Sequence, residues 1–260
     1  MKKRFSLSRT AFWITIIFLF LPLVVLVAYS FNEGKTAVWT GLSLKWYEQL
    51  FTSSEDLWDA LGNSLSIALF AGFASTVIGT LGAIGVNWYK FKLRGYVRAL
   101  TFLPLILPEI VLGISLLVYF SGLGLRGSWW TVLAAHVTFC LPFVYLMVMA
   151  RLEEFDNSII EAAKDLGATE RQTLFKVILP MSMPGIVSGF LTAVTLSLED
   201  FITTFLVAGP DAATLPSKVY GMLPRGGVSP VINALSTILI AGTVLLAIMA
   251  RNSLKHIAAK

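Results

Sequence analysis

Long apolar runs alternate with short polar ones along this chain. A helix needs about 20 mainly apolar residues to cross a bilayer's hydrocarbon core. Six stretches meet that length, at roughly 11–31, 63–89, 99–120, 129–150, 181–208 and 231–250. The pattern predicts an all-α, polytopic membrane protein with six transmembrane helices. The expected organisation is an N-terminal segment 1–10, then a first helix with an external interfacial segment over 11–62. A five-helix core over 63–250 follows, interrupted by a polar helix-turn-helix hairpin at about 156–180, and a tail closes the chain at 251–260.

Between the first two spans, Leu44, Tyr47, Leu50 and Phe51 fall on one helical face, with Trp46 and Trp58 nearby. That arrangement suits a helix lying at the membrane surface. In the second span, Ala71, Ser75, Gly79 and Ala83 recur every fourth position, which lets helix backbones approach closely. Pro104 and Pro108 remove backbone donors from the third span. Such breaks are tolerated in a membrane where the freed groups face protein or a wet cavity, so this span is expected to line something.

Composition agrees with the pattern. The chain has 260 residues, 56% of them hydrophobic and only 13% charged, against about 25% charged in a soluble domain. The mean hydropathy is +0.78. The net charge of +5 and a pI near 9.4 would raise nucleic acid as a partner for a soluble protein, but the distribution of charge explains the balance better. With the N-terminus inside, fifteen of the 20 Lys and Arg fall on the cytoplasmic side: Lys2, Lys3, Arg4, Arg9, Lys90, Lys92, Arg94, Arg98, Arg151, Lys164, Arg171, Lys176, Arg251, Lys255 and Lys260. Lys35, Lys45, Arg126, Lys218 and Arg225 remain outside. The positive-inside rule therefore puts both termini and the hairpin in the cytoplasm, with membrane lipid as the surrounding partner and no nucleic acid. The first apolar run is too long for the usual signal-peptide core and is read as a retained helix.

Familiar chemical motifs are absent or accidental. The GLGLRG at 122–127 matches a dinucleotide-binding spacing, but it lies between two spans, without a preceding strand or a later acidic residue. Gly34, Lys35 and Thr36 lack the first glycine of a phosphate loop. The chain thus shows no ATP site. One cysteine, Cys140, allows no internal disulfide. Two histidines, His136 and His256, on separate segments argue against a histidine metal site, and no catalytic Ser/His/Asp set is apparent.

The polar hairpin is specified residue by residue. Ser158 and Glu161 fit a capping box opening one helix. Gly167 suits the left-handed position that ends it. Thr169 and Gln172 form a second box, opening a helix expected to run to Leu179, with Pro180 marking the join to the fifth span. A loop that only reverses the chain needs far fewer residues, so this one is read as a knob that fits a cytoplasmic partner.

Three acids lie inside the spans: Glu109 just after Pro108, and the adjacent Glu199 and Asp200. An ionised group at the bilayer centre costs roughly 2.5–3.5 kcal/mol on insertion scales and usually marks a pathway. No Lys or Arg lies within the six stretches to neutralise them, so they would make a lining suited to a cation. Neighbouring helical positions point about 100° apart, which leaves open whether Glu199 or Asp200 faces that lining.

Residues 161–180 resemble the EAA motif of type I ABC importer permeases, E-A-A-x(3)-G-x(9)-I-x-L-P. Glu161, Ala162, Ala163, Gly167, Leu179 and Pro180 match, and Val177 stands where that family has isoleucine. The resemblance implies that these residues dock a separate ATPase subunit and couple it to the membrane part. This chain would then be a non-catalytic transport subunit that binds no cofactor, with ATP and Mg held by the partner ATPase. Further stretches at 43–47, 107–111, 136–143, 196–200 and 227–230 are similar to the spermidine/putrescine importer permeases of the bacterial inner membrane. That family commonly has aspartate where this chain has Glu109 and Glu199. The resemblance implies a second homologous permease subunit, an ATPase dimer and an external polyamine-binding protein, with Glu109, Glu199 and Asp200 along a polyamine pathway. An importer for another solute, or an ion-coupled secondary transporter with inverted repeats, are the competing expectations.

Overall fold

A computed structural model describes residues 7–35, 38–125, 127–222 and 229–258, without the side chains of residues 157, 246, 247 and 249–258. Lys2, Lys3, Arg4, Thr36, Arg126, Arg225, Lys260 and positions 227–228 of the sequence reading lie outside the described residues, as do the side chains of Arg251, Lys255 and His256. The described chain is helical: α1 Leu7–Ser30, α2 Lys45–Thr52, α3 Glu55–Trp88, α4 Arg94–Ile106, α5 Glu109–Gly122, α6 Trp129–Glu153, α7 Asn157–Asp165, α8 Glu170–Thr173, α9 Leu179–Glu199, α10 Ile202–Val207, α11 Leu215–Met222 and α12 Pro230–Ala258. The one β pairing among the described residues is an isolated bridge, Asn32 to Leu42.

The helices form two compact units, one of residues up to Asp56 with those from Val219 onward, the other Leu57–Lys218. In the first, α12 packs on α1 and α2. Nearly all of α1 is exposed, as a lipid-facing helix must be. The external segment is tied by Asn32, whose carbonyl accepts from Trp46 Nε1 at 2.7 Å and whose amide donates to the Val38 carbonyl at 2.9 Å. A helix forms here as α2, but its buried face is Trp46 and Leu50, with Leu44 and Phe51 exposed. The expected stripe therefore differs by rotation, because the Trp46 indole is drawn inward by its hydrogen bond.

In the second unit, α3, α6 and α9 pack through small residues. Ala71, Ser75 and Ala83 are fully buried. A Cβ on Gly79 would stand 3.0 Å from Val144, and one on Gly185 would stand 2.8 Å from Arg151 Cβ and 2.9 Å from the Met147 carbonyl. Two apolar clusters result. One joins Ala83, Val144, Tyr145, Val148, Ile178 and Ala193, with Phe102 of α4 against it. The other joins Ile67, Phe120, Val132, Ala135 and Val207. They mark two ends of the unit. At one end Arg98 pairs with Glu153 at 3.3 Å, and the Lys164 ammonium sits 6.0 Å from the Trp88 ring. At the other, Trp129 donates to Ser66 at 3.1 Å, Asn63 donates to the Asp211 carbonyl at 3.1 Å, and Gly127 meets Gly209 backbone to backbone.

Four helical stretches are long and apolar enough to span a bilayer: α1, α3, α6, and the run from α8 through α9. The predicted third span is not one helix. It breaks into α4 and α5, bent by 110°, and the pair runs from the Arg98 end to the Phe120 end. The sixth predicted span falls in α12, whose described apolar stretch, Pro230–Leu245, is shorter than a full crossing. Six spans are therefore not established.

The polar segment also departs in detail. Asp156, not Ser158, caps α7, accepting from the Ser158 N–H at 2.9 Å. Two reciprocal bonds close the end of α7: Gly167 N–H donates to the Lys164 carbonyl at 2.8 Å, and Ala168 N–H to the Ala163 carbonyl at 3.0 Å. That pattern requires a left-handed residue between them, and Gly167 has φ +80. The Thr169–Gln172 capping box forms. However, α8 is a single turn and does not end at Leu179. It widens into a π-helical segment, Leu174–Ile178, and continues as α9. Leu179 N–H donates to the Leu174 carbonyl, so the ladder steps over the position where Pro180 has no donor to give.

Candidate functional site

Two helix breaks converge inside the second unit. The first is at Leu107 and Pro108, both extended, with ψ 137 and 135. A residue before proline is driven out of the helical region by the ring. Pro108 then starts α5, and its carbonyl accepts from Val111 and Leu112 at 2.9 and 3.2 Å. Pro104 does not break α4, which runs on to Ile106. Glu109 therefore opens α5, where the positive end of the helix dipole favours a carboxylate.

The second break is at Asp200 and Phe201, between α9 and α10. Asp200 N–H makes the last bond of α9, to the Leu196 carbonyl at 3.1 Å, and then its ψ of 130 turns the chain. Its carboxylate bends back over the next helix. Oδ1 accepts from Thr203 N–H at 3.2 Å; Oδ2 accepts from Thr204 N–H at 2.9 Å and from the Thr204 hydroxyl at 2.7 Å. Asp200 thus caps α10 by satisfying donors that a helix start leaves free. Glu199, one residue earlier, is exposed at the end of α9.

The breaks meet because α5 packs against α10. Gly113 permits the approach: a Cβ there would stand 2.7 Å from the Leu206 side chain. All three predicted acids are brought together. The Glu109 carboxyl lies near that of Asp200 and in the field of Glu199. They are not equivalent. Glu109 and Glu199 are exposed, whereas Asp200 is only 4% exposed and its oxygens are engaged.

The residue that sequence reasoning missed is His136 of α6. It is fully buried and touches both sides of the second break. Nε2 lies 2.9 Å from Thr204 Oγ1 and 3.2 Å from Asp200 Oδ2; Nδ1 lies 2.6 Å from Ser197 Oγ. The Thr204 hydroxyl donates to Asp200, so Nε2 carries a proton and donates, and Nδ1 bonds the Ser197 hydroxyl. A histidine within an apolar span was the available signal, since a buried imidazole needs partners.

The predicted docking residues lie elsewhere. Glu161, Ala162, Gly167 and Pro180 are exposed, and Ala163 and Leu179 are half-buried. Leu166, 89% exposed, stands with Ile159 and Phe175 as uncovered apolar side chains of this segment.

Comparison with known proteins places the chain in a family. The model for binding-protein-dependent transport system inner membrane components matches residues 75–258. The spermidine/putrescine transport system permease protein PotC of Escherichia coli (strain K12) is 41% identical over 224 residues, 86% of this chain and 84% of that protein. The putrescine transport system permease protein PotI of the same organism is 42% identical over 232 residues, covering 86% and 82%. Among solved structures, a bacterial ABC transporter involved in the import of the acidic polysaccharide alginate aligns with a TM-score of 0.73 at 17% identity, covering 94% of each chain. That likeness is one of fold.

Proposed function

Because this chain belongs to the binding-protein-dependent transport system inner membrane components, the permease subunits of ABC importers, we propose that its cargo is a polyamine and that Glu109 and Glu199 receive it. One observation carries the reading: two broken helices bring two exposed carboxylates to one place. Discontinuous helices that meet at mid-membrane are where transporters hold charged cargo. The end of α9 adds its unpaired carbonyls to Glu199, and the negative end of a helix dipole favours a cation. An ammonium seated between Glu109 and Glu199 relieves their mutual repulsion and keeps its own charge paired on leaving water. A polyamine, with several ammonium groups along a flexible apolar stem, fits two carboxylates set apart. The PotC and PotI names support the same substrate class. Asp200 belongs to the pathway as the group that shapes it, through its bonds to α10.

In this reading the exposed sides of Glu109 and Glu199 face a second, homologous permease subunit, and the two chains enclose the path. An external binding protein delivers the polyamine. A pair of ATPase subunits, which hold ATP and Mg, docks on the segment carrying Glu161, Ala162, Ala163 and Gly167. Leu179 and Pro180 lie where that segment joins α9, whose far end carries Glu199, so one continuous helix links the docking surface to the cargo site. Both termini face the cytoplasm.

The test is uptake of radiolabelled spermidine by the complete transporter in proteoliposomes. Glu109→Gln with Glu199→Gln is expected to raise KM by about 100-fold, as two charge-assisted contacts are lost at roughly tenfold each. The ATPase subunits should still co-purify. Unchanged uptake by the double variant overturns the assignment of these acids. Absence of spermidine uptake, with uptake of another solute, overturns the polyamine reading.

A further inference from the structure

The buried cluster of His136, Ser197, Asp200 and Thr204 does something that the cargo site itself does not. A helix interrupted in mid-membrane has free carbonyls on one side and free N–H groups on the other, and each must be satisfied internally. Asp200 satisfies the α10 side. It joins the two helices only through the turn to which it belongs, its N–H ending α9 and its carboxylate holding the start of α10. The connection across the break is made by a third helix: the imidazole of His136 bonds Ser197 in the last turn of α9 and Thr204 in the first turn of α10. It also approaches Asp200 Oδ2. All four residues are almost completely buried, so these bonds face little competition from water.

We propose that His136 is a positioning residue that staples the α9–α10 break, and thereby sets where the Glu199 carboxylate stands relative to Glu109. The geometry gives this its reach. Glu199 lies two residues after Ser197 and one before Asp200, so its backbone is bracketed by two groups held by one ring. Glu109 is placed from the other side, since α5 packs closely on α10 at Gly113 and Leu206. A rotation of α10 relative to α9 therefore changes the spacing of the two cargo carboxylates. With the staple intact that spacing is fixed before cargo arrives, and affinity is not spent on ordering the site. The ring has a distinct task on each nitrogen: Nε2–H donates toward Thr204 and Asp200, and Nδ1 bonds the Ser197 hydroxyl.

The inference rests on the proposed polyamine path for its transport readout, and two variants separate the ring's two tasks. His136→Gln keeps an amide N–H close to where Nε2 stands; His136→Asn keeps an acceptor near Nδ1 but does not reach Asp200. In the complete transporter, with spermidine as probe, His136→Gln is expected to hold KM within about twofold. His136→Asn should raise it about tenfold, the loss of one hydrogen bond to a charged group. Basal ATPase activity should be unchanged in both. Asp200→Asn should raise KM as well, and the His136→Asn, Asp200→Asn double variant should be no worse than the poorer single, because coupled residues are non-additive. A readout without cargo accompanies these. Leu198→Cys, at an exposed position beside the break, should react with a maleimide several times faster in the His136→Asn background, as the break loosens. Equal KM and equal labelling in His136→Asn and the parent overturn the proposal, as does an additive double variant. Faster labelling in a transporter that does not move spermidine leaves the staple standing and overturns the substrate reading instead.

Discussion

Two acids one residue apart have opposite roles, and burial decides which is which. Glu199 is exposed at the end of α9, and its loss removes a charge from the path without unsatisfying any buried donor. Asp200 accepts from two backbone N–H groups and a hydroxyl and faces a buried imidazole. Asp200→Asn leaves one oxygen to do the work of two and sets an amide against donors. Its expected cost is on the order of 1–3 kcal/mol, read as a lower Tm of the purified complex, whereas Glu199→Gln should leave Tm unchanged. The three acids were visible in the sequence as charges in apolar runs, but their gathering was not, because it depends on two breaks and on a contact at Gly113. Asp156 gives a pH test at the same scale. Its carboxylate, held by the Ser158 N–H and then the Ser158 hydroxyl, has a pKa below the ordinary aspartate value. A depressed folded value means stability present above the unfolded pKa and lost as pH falls through the folded one. Amide exchange in α7 should therefore be unchanged from neutral pH down to the ordinary aspartate range. Once corrected for the intrinsic rate, it should rise below that range, and Asp156→Ala should show the faster exchange at neutral pH, with the difference closing as the carboxylate is protonated.

At the scale of elements, glycines and prolines carried most of the legible information, though not always with the predicted outcome. Gly167 takes the left-handed turn that its place after an EAA helix predicts, and Pro108 breaks a helix where Pro104 does not. The capping of α7 was misassigned because Asp156 and Ser158 are both good caps, and the choice lies in where the chain leaves α6. The π-helical widening before Pro180 has no period of its own to read. Gly167 and Gly185 separate two kinds of constraint. A Cβ at Gly167 meets nothing within 4 Å, so the cost of Gly167→Ala is the backbone term alone, about 1 kcal/mol. It should weaken ATPase docking while the chain still inserts and folds. At Gly185 the φ is ordinary, but a Cβ strikes the Met147 carbonyl and Arg151. Gly185→Val should force α6 and α9 apart at a cost of about 1–3 kcal/mol or more, seen as less folded chain recovered in mild detergent. Comparable yields for the two variants would mean that the α6–α9 contact is not as close as described.

At the scale of the whole molecule, hydropathy identified the apolar runs but could not say how each one crosses. A window average does not distinguish a straight helix from two half-helices at 110°, and the second arrangement admits two topologies. If α4 and α5 form one broken span, the chain changes sides between them; if they form a re-entrant loop, it returns. Packing favours the broken span. Arg98 of α4 pairs with Glu153 at the end of α6, Phe102 joins the apolar cluster at that end, and Phe120 of α5 joins the cluster at the opposite end with Ile67 and Val132. Charge favours it too, since Lys90 and Lys92 precede α4, Arg94 and Arg98 lie in its first two turns, and only Arg126 follows α5 within the loop. Tyr96 and Leu123, both exposed, report on the two sides. In sealed cells, Leu123→Cys should react with a membrane-impermeant maleimide and Tyr96→Cys should not until the membrane is opened. The native Cys140 is buried and stays silent. Labelling of both positions from one side would make α4 and α5 a re-entrant pair. Glu109 would then mark the tip of a loop dipping into the membrane, not the middle of a crossing, and the cargo path would have to be redrawn around α9 and α10 alone.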